Sequence, residues 1–347
     1  MLAVYAQYPT FTVFLAVFLG ALVTMVLMPF WIRGLKKHLI GQQVRADGPE
    51  SHLVKQGTPT MGGVVMLVAM AITVFLLAAP ELDTTFIMLA IILTGVLGLI
   101  DDASKVAKER SLGLTPKAKL IGQFLISTAF VLAVVNWLGV APTIDIPFVA
   151  TLDFGILTTT LPFDVPAGQF SIPWLYLIFC DILLMGLSNA TNLTDGLDGL
   201  AAGPVMMAIL VMAAIAYRLG MLDAALVGAA IAGCCIGFLW FNAYPADIFM
   251  GDTGSLALGM ALGCIAIVTK TEVISLIIGG LFVIEALSVM IQVFYFKRTK
   301  KRLFLMAPLH FEKRGWSEVK VVVRFWIISA CFAAVGFCIF FAQTMVA

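Results

Sequence analysis

The chain has 347 residues, 61% hydrophobic and 12% charged, with a mean hydropathy of +1.06. Soluble domains carry about 25% charged residues, so this composition excludes a soluble fold and specifies an integral membrane protein. A formal net charge of +1 leaves no uncompensated basic face, which argues against a nucleic-acid partner.

A membrane-crossing helix needs about 20 apolar residues. Ten spans meet or approach that length: 11–31, 60–79, 86–100, 119–138, 172–190, 199–217, 223–241, 254–269, 273–296 and 320–343. The expected fold is an all-α integral membrane protein, one polytopic domain over residues 1–347, without internal repeat or linker. The first span has no basic stretch before it and Arg33, Lys36 and Lys37 after it. A cleavable signal peptide has the opposite polarity, so this span reads as a retained helix.

Basic residues set the orientation. Segments 33–55, 105–119 and 297–324 hold 19 of the 21 Lys and Arg residues. Placing those loops in the cytoplasm puts both termini outside. The 139–171 segment has no Lys or Arg and alternates β-branched and aromatic residues with Pro and Gly. It reads as a small β-hairpin on the outer surface, between helices 4 and 5. All six cysteines lie in apolar runs with no CxxC pair, as buried small apolar residues do.

On this topology six carboxylates reach the cytoplasmic side: Asp101, Asp102, Asp195, Asp198, Asp247 and Asp252. Unpaired charges are costly to bury, so acids gathered at one level call for a divalent cation and, with it, a phosphate-bearing substrate. Helices 2, 4, 6, 8 and 10 start at the same face, and their N-termini offer N–H donors to anions. Thr60, Thr115, Thr253 and Ser255 are the expected caps.

In chain order, KQGTPTMGG (55–63) places Lys55, Thr60 and a glycine pair at the entry to helix 2. Asp101 and Asp102 close helix 3, where the negative end of the dipole disfavours them unless a cation or lysine compensates; Lys105 and Lys108 stand nearby. Lys117 and Lys119 open helix 4, where positive-inside bias alone also accounts for them. Asn192, Asp195 and Asp198, three apart in NLTDGLDGL, can face one cavity on a helix, although a turn explains the same Asp and Gly content. FNAYPADIFMGDTGS (241–255) joins Asn242, Phe249 and Asp252 just before a helix, in the manner of a metal-and-phosphate corner. His310 is the sole histidine of APLHFEKRGW, and Asp181 and Glu285 fall inside spans without an evident basic partner.

Together KQGTPTMGG, LGLIDDASK, NLTDGLDGL, FMGDTGSLALG and APLHFEKRGW resemble, in that order, the phospho-N-acetylmuramoyl-pentapeptide transferases of the polyprenyl-phosphate N-acetylhexosamine-1-phosphate transferase superfamily. The resemblance covers roughly residues 33–324. It implies an enzyme of peptidoglycan synthesis in the bacterial inner membrane, with its active site on the cytoplasmic face. That enzyme would transfer phospho-MurNAc-pentapeptide from UDP-MurNAc-pentapeptide to undecaprenyl phosphate with Mg2+, giving lipid I and UMP.

By motif position, Asp252 would be the metal ligand, and Asp101, Asp102 and His310 would join it as catalytic residues. Asn192, Asp195 and Asp198 would line the cleft; Lys55, Thr60, Asn242 and Phe249 would contact the nucleotide end; Lys117 and Lys119 would steady phosphate. A homodimer is also implied. One departure stands out: the family shows three consecutive histidines in the last cytoplasmic loop, whereas this chain runs Pro308-Leu309-His310-Phe311. Activity therefore turns on whether one histidine suffices. The rival readings are a sister enzyme moving GlcNAc-1-phosphate from UDP-GlcNAc to the same lipid, and a cation-coupled transporter. One-sided acids and the absence of a repeat disfavour the transporter.

Overall fold

A computed structural model describes residues 8–37, 57–78, 81–107, 113–301, 303, 305 and 307–346. Its helices are α1 (Pro9–Lys37), α2 (Gly63–Leu77), α3 (Leu82–Ala107), α4 (Pro116–Leu138), α5 (Trp174–Thr194), α6 (Ala202–Arg218), α7 (Leu222–Asn242), α8 (Gly251–Val268), α9 (Glu272–Ile278), α10 (Gly280–Thr299), α11 (Pro308–Glu312) and α12 (Glu318–Val346). Eight are long and apolar enough to cross a membrane, and α2 and α6 are shorter apolar helices. These ten segments fall on the ten expected spans, and the protein is an all-α integral membrane protein.

α8 is the centre of the bundle. Every residue from Thr253 to Val268 is buried, as expected of a helix that is apolar all round. It packs against α2, α3, α5 and α6. α1 and α12 instead expose Phe14, Phe18, Ile327 and Val335, the apolar surface a lipid-facing helix presents. Gln123 of α4 donates to Ser188 Oγ of α5 (3.0 Å), which donates to the Leu256 carbonyl of α8 (2.9 Å), so the buried polar groups are satisfied between helices.

Four details differ from the sequence-based expectation. Between α4 and α5 there are two antiparallel hairpins, β1 (Thr143–Ile146) with β2 (Ala150–Asp153) and β3 (Thr158–Val165) with β4 (Gly168–Pro173), where one was expected. The ninth span is broken at Gly279 into α9 and α10. A Cβ on the adjoining Gly280 would lie 2.6 Å from the Phe332 ring, so α12 packs tightly against the joint. α3 continues past the acid pair to Ala107, because Ala103 to Ala107 hold helix-compatible residues and no breaker. Cys331 and Cys338 are exposed on α12, while the other four cysteines are buried.

The hairpins mark one end of the bundle. Asn136 near the end of α4 donates to the Ser171 carbonyl of β4 (2.9 Å), and Lys270 after α8 bonds the Thr143 carbonyl of β1 and pairs with Glu272 (2.7 Å). The conspicuous acids converge at the other end.

Candidate active site

The site is built on the N-terminus of α8. Its first N–H groups have no partner within their own helix, and the acceptor comes from α3. Asp102 Oδ1 accepts from the Asp252 amide (3.1 Å), and Oδ2 accepts from the Thr253 amide (3.0 Å) and hydroxyl (2.8 Å). Asp102 thus caps α8 from outside, its negative charge set against the positive end of the helix dipole. The close approach needs glycine: a Cβ on Gly98 would sit 2.3 Å from the Asp252 carbonyl oxygen, and one on Gly63 would sit 2.2 Å from the Gly254 nitrogen. The α2 entry is held by backbone bonds from Gly62 to Phe249 (2.9 Å), Gly63 to Met250 (2.9 Å) and Phe249 to Pro59 (2.8 Å).

This docking brings carboxylate oxygens of Asp101, Asp102 and Asp252 within 4.8 Å of one another. Asp101 and Asp102 are almost fully buried, at 1% and 2% exposure. Two lysines offset the charge. Lys105 lies 2.7 Å from Asp101, 3.4 Å from Asp102 and 3.1 Å from Asp252; Lys119, at the start of α4, lies 2.5 Å from Asp252 and 3.4 Å from Asp101. Three carboxylates against two ammoniums leave one acid in excess.

The cluster fits a hard divalent cation. Its donors are all carboxylate oxygens, and the buried Asp101 Oδ2 already sits against positive charge, 2.7 Å from the Lys105 ammonium and 3.4 Å from that of Lys119. Asp101 Oδ1 is taken by the Leu114 amide (2.7 Å).

Asn192, on the last turns of α5, donates to Asp252 Oδ1 (2.9 Å) and to Ser255 Oγ (2.8 Å), so it orients the acid. Asp195 and Asp198 do not continue that helix. α5 ends at Thr194, and Gly199 takes a left-handed conformation (φ +74°), which makes 195–201 a turn. Asp198 is buried; its Oδ2 accepts from the Ala246 amide (3.0 Å), and its own amide donates to Glu318 (2.9 Å). Asp195 is half-buried in this turn. Burial first, then repulsion from Asp252, Asp102 and Asp198, pushes its carboxyl up to about 8.

The remaining expected residues divide. Asn242 is buried and ties the loops together, accepting from the Gly199 amide (2.9 Å) and donating to the Ile248 carbonyl (2.9 Å). Phe249 is half-buried beside the α2 entry, and Thr60 is buried next to Gly251. Thr60 does not cap α2, whose preceding residue is Gly62; Thr115 does cap α4, accepting from the Ala118 amide (3.2 Å). Lys117 is exposed and, among the described residues, makes no ion pair. His310 sits in α11, its ring within 3.1 Å of the Leu305 carbonyl, and is not one of the groups converging on the acid cluster. Lys55 lies outside the described residues. Asp181 and Glu285 find hydroxyl partners, Thr128 (3.0 Å) and Thr194 (2.6 Å), in place of a base.

Lys105 is the member of the cluster that sequence reasoning undervalued, placing it only as a counter-charge. Its i+4 and i+3 spacing to Asp101 and Asp102 was the available signal, hidden because the helix was expected to stop at residue 100. Ser255 is a second case, expected as a cap and found as a partner of Asn192.

Comparison with known proteins places the chain in a family. The family model for Glycosyl transferase family 4 matches residues 84–270, more than half of the chain, and the Phospho-N-acetylmuramoyl-pentapeptide-transferase signature 1 matches residues 55–67. A phospho-N-acetylmuramoyl-pentapeptide-transferase of Rubrobacter xylanophilus is 46% identical over 337 residues, covering 95% of this chain and 98% of the relative. Relatives with the same name from Halalkalibacterium halodurans and Bacillus pumilus are each 44% identical and cover 92% of this chain, with 94% and 95% of their own lengths matched.

Proposed function

Because this chain belongs to the phospho-N-acetylmuramoyl-pentapeptide-transferase family, we propose that it transfers phospho-MurNAc-pentapeptide from UDP-MurNAc-pentapeptide to undecaprenyl phosphate, forming lipid I and UMP. The observation that carries the reading is the convergence of Asp101, Asp102 and Asp252 with Lys105 and Lys119 at the N-terminus of α8. The cluster lies at the bundle end whose flanking loops are rich in Lys and Arg, which supports a cytoplasmic active site in the bacterial inner membrane.

Joining a lipid phosphate to a sugar diphosphate brings two anions together, so charge neutralisation dominates the barrier. Mg2+ held by Asp252, with Asp101 and Asp102 beside it, would supply Lewis-acid neutralisation of the diphosphate. Lys105 and Lys119 then provide the positive charge that the incoming phosphate meets. Asn192 fixes the Asp252 carboxylate, and Asp102 fixes the helix end that carries it. A phosphate monoester is nucleophilic near neutral pH, so the lipid phosphate attacks the β-phosphorus directly and UMP leaves. Asp101, whose Oδ2 is held between Lys105 and Lys119 beside the Asp252 carboxylate, is the group placed to assist. Phe249, Thr60 and Lys55 serve the nucleotide end, Asp195 and Asp198 the cleft wall, and Lys117 the outer phosphate approach. His310 contributes from its loop, and the working unit is a homodimer.

The test follows UMP release in detergent with Mg2+, undecaprenyl phosphate and UDP-MurNAc-pentapeptide. Turnover should stop with EDTA and fall at least about 1,000-fold in Asp252→Ala, beyond what loss of one electrostatic contact costs. Turnover of UDP-GlcNAc in its place would transfer the assignment to the sister reaction. Trapping a phosphorylated protein from the UDP substrate alone would overturn direct attack.

A further inference from the structure

Gln123 lies on α4 one helical turn after Lys119, so the two share a face of that helix. Lys119 reaches Asp252 Oδ2, and Asn192 of α5 reaches Asp252 Oδ1. Gln123 repeats this pattern one turn deeper in the bundle. Its Nε2 donates to Ser188 Oγ (3.0 Å), and its Oε1 accepts from Asn189 Nδ2 (2.8 Å). Ser188 and Asn189 precede Asn192 by four and three residues, so Gln123 grips the turn of α5 that carries Asn192. On α8, the carbonyl that accepts from Ser188 Oγ (2.9 Å) belongs to Leu256, one turn after Asp252. α4, α5 and α8 are therefore tied at two levels, one at Asp252 and one at Gln123.

Chemistry fixes the direction of the deeper chain. The Leu256 carbonyl can only accept, so Ser188 gives it the hydroxyl proton and accepts from Gln123 in turn. The Gln123 amide then points its oxygen at Asn189, whose other N–H goes to the Met185 carbonyl (2.8 Å). Gln123 and Ser188 are both 0% exposed, so neither can turn away without leaving a buried group unpaired. The helices also meet closely here: a Cβ on Gly259 of α8 would lie 2.3 Å from the Leu187 carbonyl oxygen of α5. A methionine of similar length would pack in this apolar setting without needing partners. A glutamine that commits both ends of its amide to the turn bearing Asn192 finds its reason in the site.

Resting on the transferase reading above, we propose that Gln123 is a positioning residue for the reaction. It holds α4 and α5 at the register in which Lys119 and Asn192 take the two oxygens of Asp252. Both of its bonds go to α5, so it acts through Asn192 and, along α4, through Lys119. Its loss lets the Asp252 carboxylate turn, which weakens the hold on Mg2+ and lowers turnover while the nucleotide contacts stay in place.

The test compares the parent, Gln123→Met, Asn192→Ala and the double variant, each as the full chain in nanodiscs. Calorimetric Mg2+ titration, UMP release and thermal unfolding are the readouts. Gln123→Met should weaken Mg2+ binding and lower kcat by about 10-fold each, the low end of the range for partners behind a metal ligand. KM for UDP-MurNAc-pentapeptide at saturating Mg2+ should stay within about twofold of the parent, because ground-state binding is kept. In the Asn192→Ala background the same substitution should cost less than about twofold in Mg2+ affinity, since changes within one network do not add. A merely structural glutamine would lower the thermal midpoint equally in both backgrounds and leave Mg2+ affinity alone. Ser188→Ala cuts the deeper chain by removing only a hydroxyl; it should weaken Mg2+ binding in the same sense, and it decides the matter should Gln123→Met fold poorly. Unchanged Mg2+ affinity in the folded variants, or losses that multiply fully with those of Asn192→Ala, would overturn the role of Gln123 alone. Mg2+ binding by the parent that survives Asp252→Ala would instead sink the catalytic reading, and this inference with it.

Discussion

Asp102 has a structural duty that separates it from its neighbour, and the comparison of Asp102→Asn with Asp102→Ala isolates it. Both substitutions remove the charge, so relief of carboxylate repulsion and loss of attraction to Lys105 cancel between them to first order. They differ in the acceptor. Asn can place its oxygen where Oδ2 lies and keep the bonds from the Thr253 amide and hydroxyl, losing only the one from the Asp252 amide, which its NH2 cannot accept, while Ala keeps none. At 2% exposure water does not readily replace them. Leaving a buried donor unpaired costs about 1–3 kcal/mol, and losing a helix N-cap costs about 0.5–2 kcal/mol. The Ala variant should therefore be about 3 kcal/mol less stable than the Asn variant. An unfolding entropy of about 2.1 cal/mol/K per residue over a chain of this length converts that to about 4 °C. Thermal unfolding in the same detergent, with metal chelated, reads the difference directly. Midpoints within about 1 °C of each other would refute the assignment of Asp102 as the external cap of α8.

Three further outcomes follow from the same geometry. Lys119→Ala should lower kcat by about 100-fold or more, in the range of a lost electrostatic donor, and Lys119→Arg should recover only part of it because a planar fork replaces a point charge held against Asp252. Asp195 has a folded-state pKa of about 8, raised above the usual carboxylate value. The metal-free protein therefore binds this proton more tightly folded than unfolded, and loses stability as pH climbs from about 4 to about 8. Asp195→Asn should flatten that part of a stability-versus-pH curve measured in EDTA. Inserting two histidines after His310 should raise kcat without moving the thermal midpoint; unchanged turnover would show that the single histidine is sufficient.

Much of the fold was legible because membrane crossing imposes one simple demand, a run of apolar residues long enough to span, which eight helices among the described residues meet and α2 and α6 approach. The acid cluster was legible for the converse reason: charge at the end of such runs is costly and needs a cause. The losses came where local sequence is ambiguous. NLTDGLDGL supports either a helix face or a turn, and the outcome was decided by Gly199 and by the long-range bond from its amide to Asn242, which no local pattern encodes. Thr60 looks like a cap for α2, yet backbone pairing with residues 249 and 250 takes over that end. The break falls at the Gly279–Gly280 pair, where Phe332 of α12 occupies the space a Cβ on Gly280 would need.

The relation between the lysines and the acids bears on how the site holds charge before substrate arrives. Lys119 is committed to Asp252 and Lys105 reaches all three acids. In the absence of metal, these ammoniums hold the carboxylates together against their own repulsion. Asp101, Asp102 and Asp252 would hold a divalent ion in their place, and its charge would weaken both pairs and leave Lys105 and Lys119 for the anionic substrate. Metal and phosphate binding should then be coupled: Mg2+ affinity should rise when UDP-MurNAc-pentapeptide is present, and by linkage the reverse should hold by the same factor. Lys105→Met removes the exchange. In that variant Mg2+ should bind at least as tightly to the free enzyme, since a competing cation is gone, while its coupling to the UDP substrate should shrink. Calorimetric titration of Mg2+ with and without the UDP substrate, in both proteins, measures the four affinities needed. Equal coupling in the two would mean that Lys105 serves only to neutralise the resting acids.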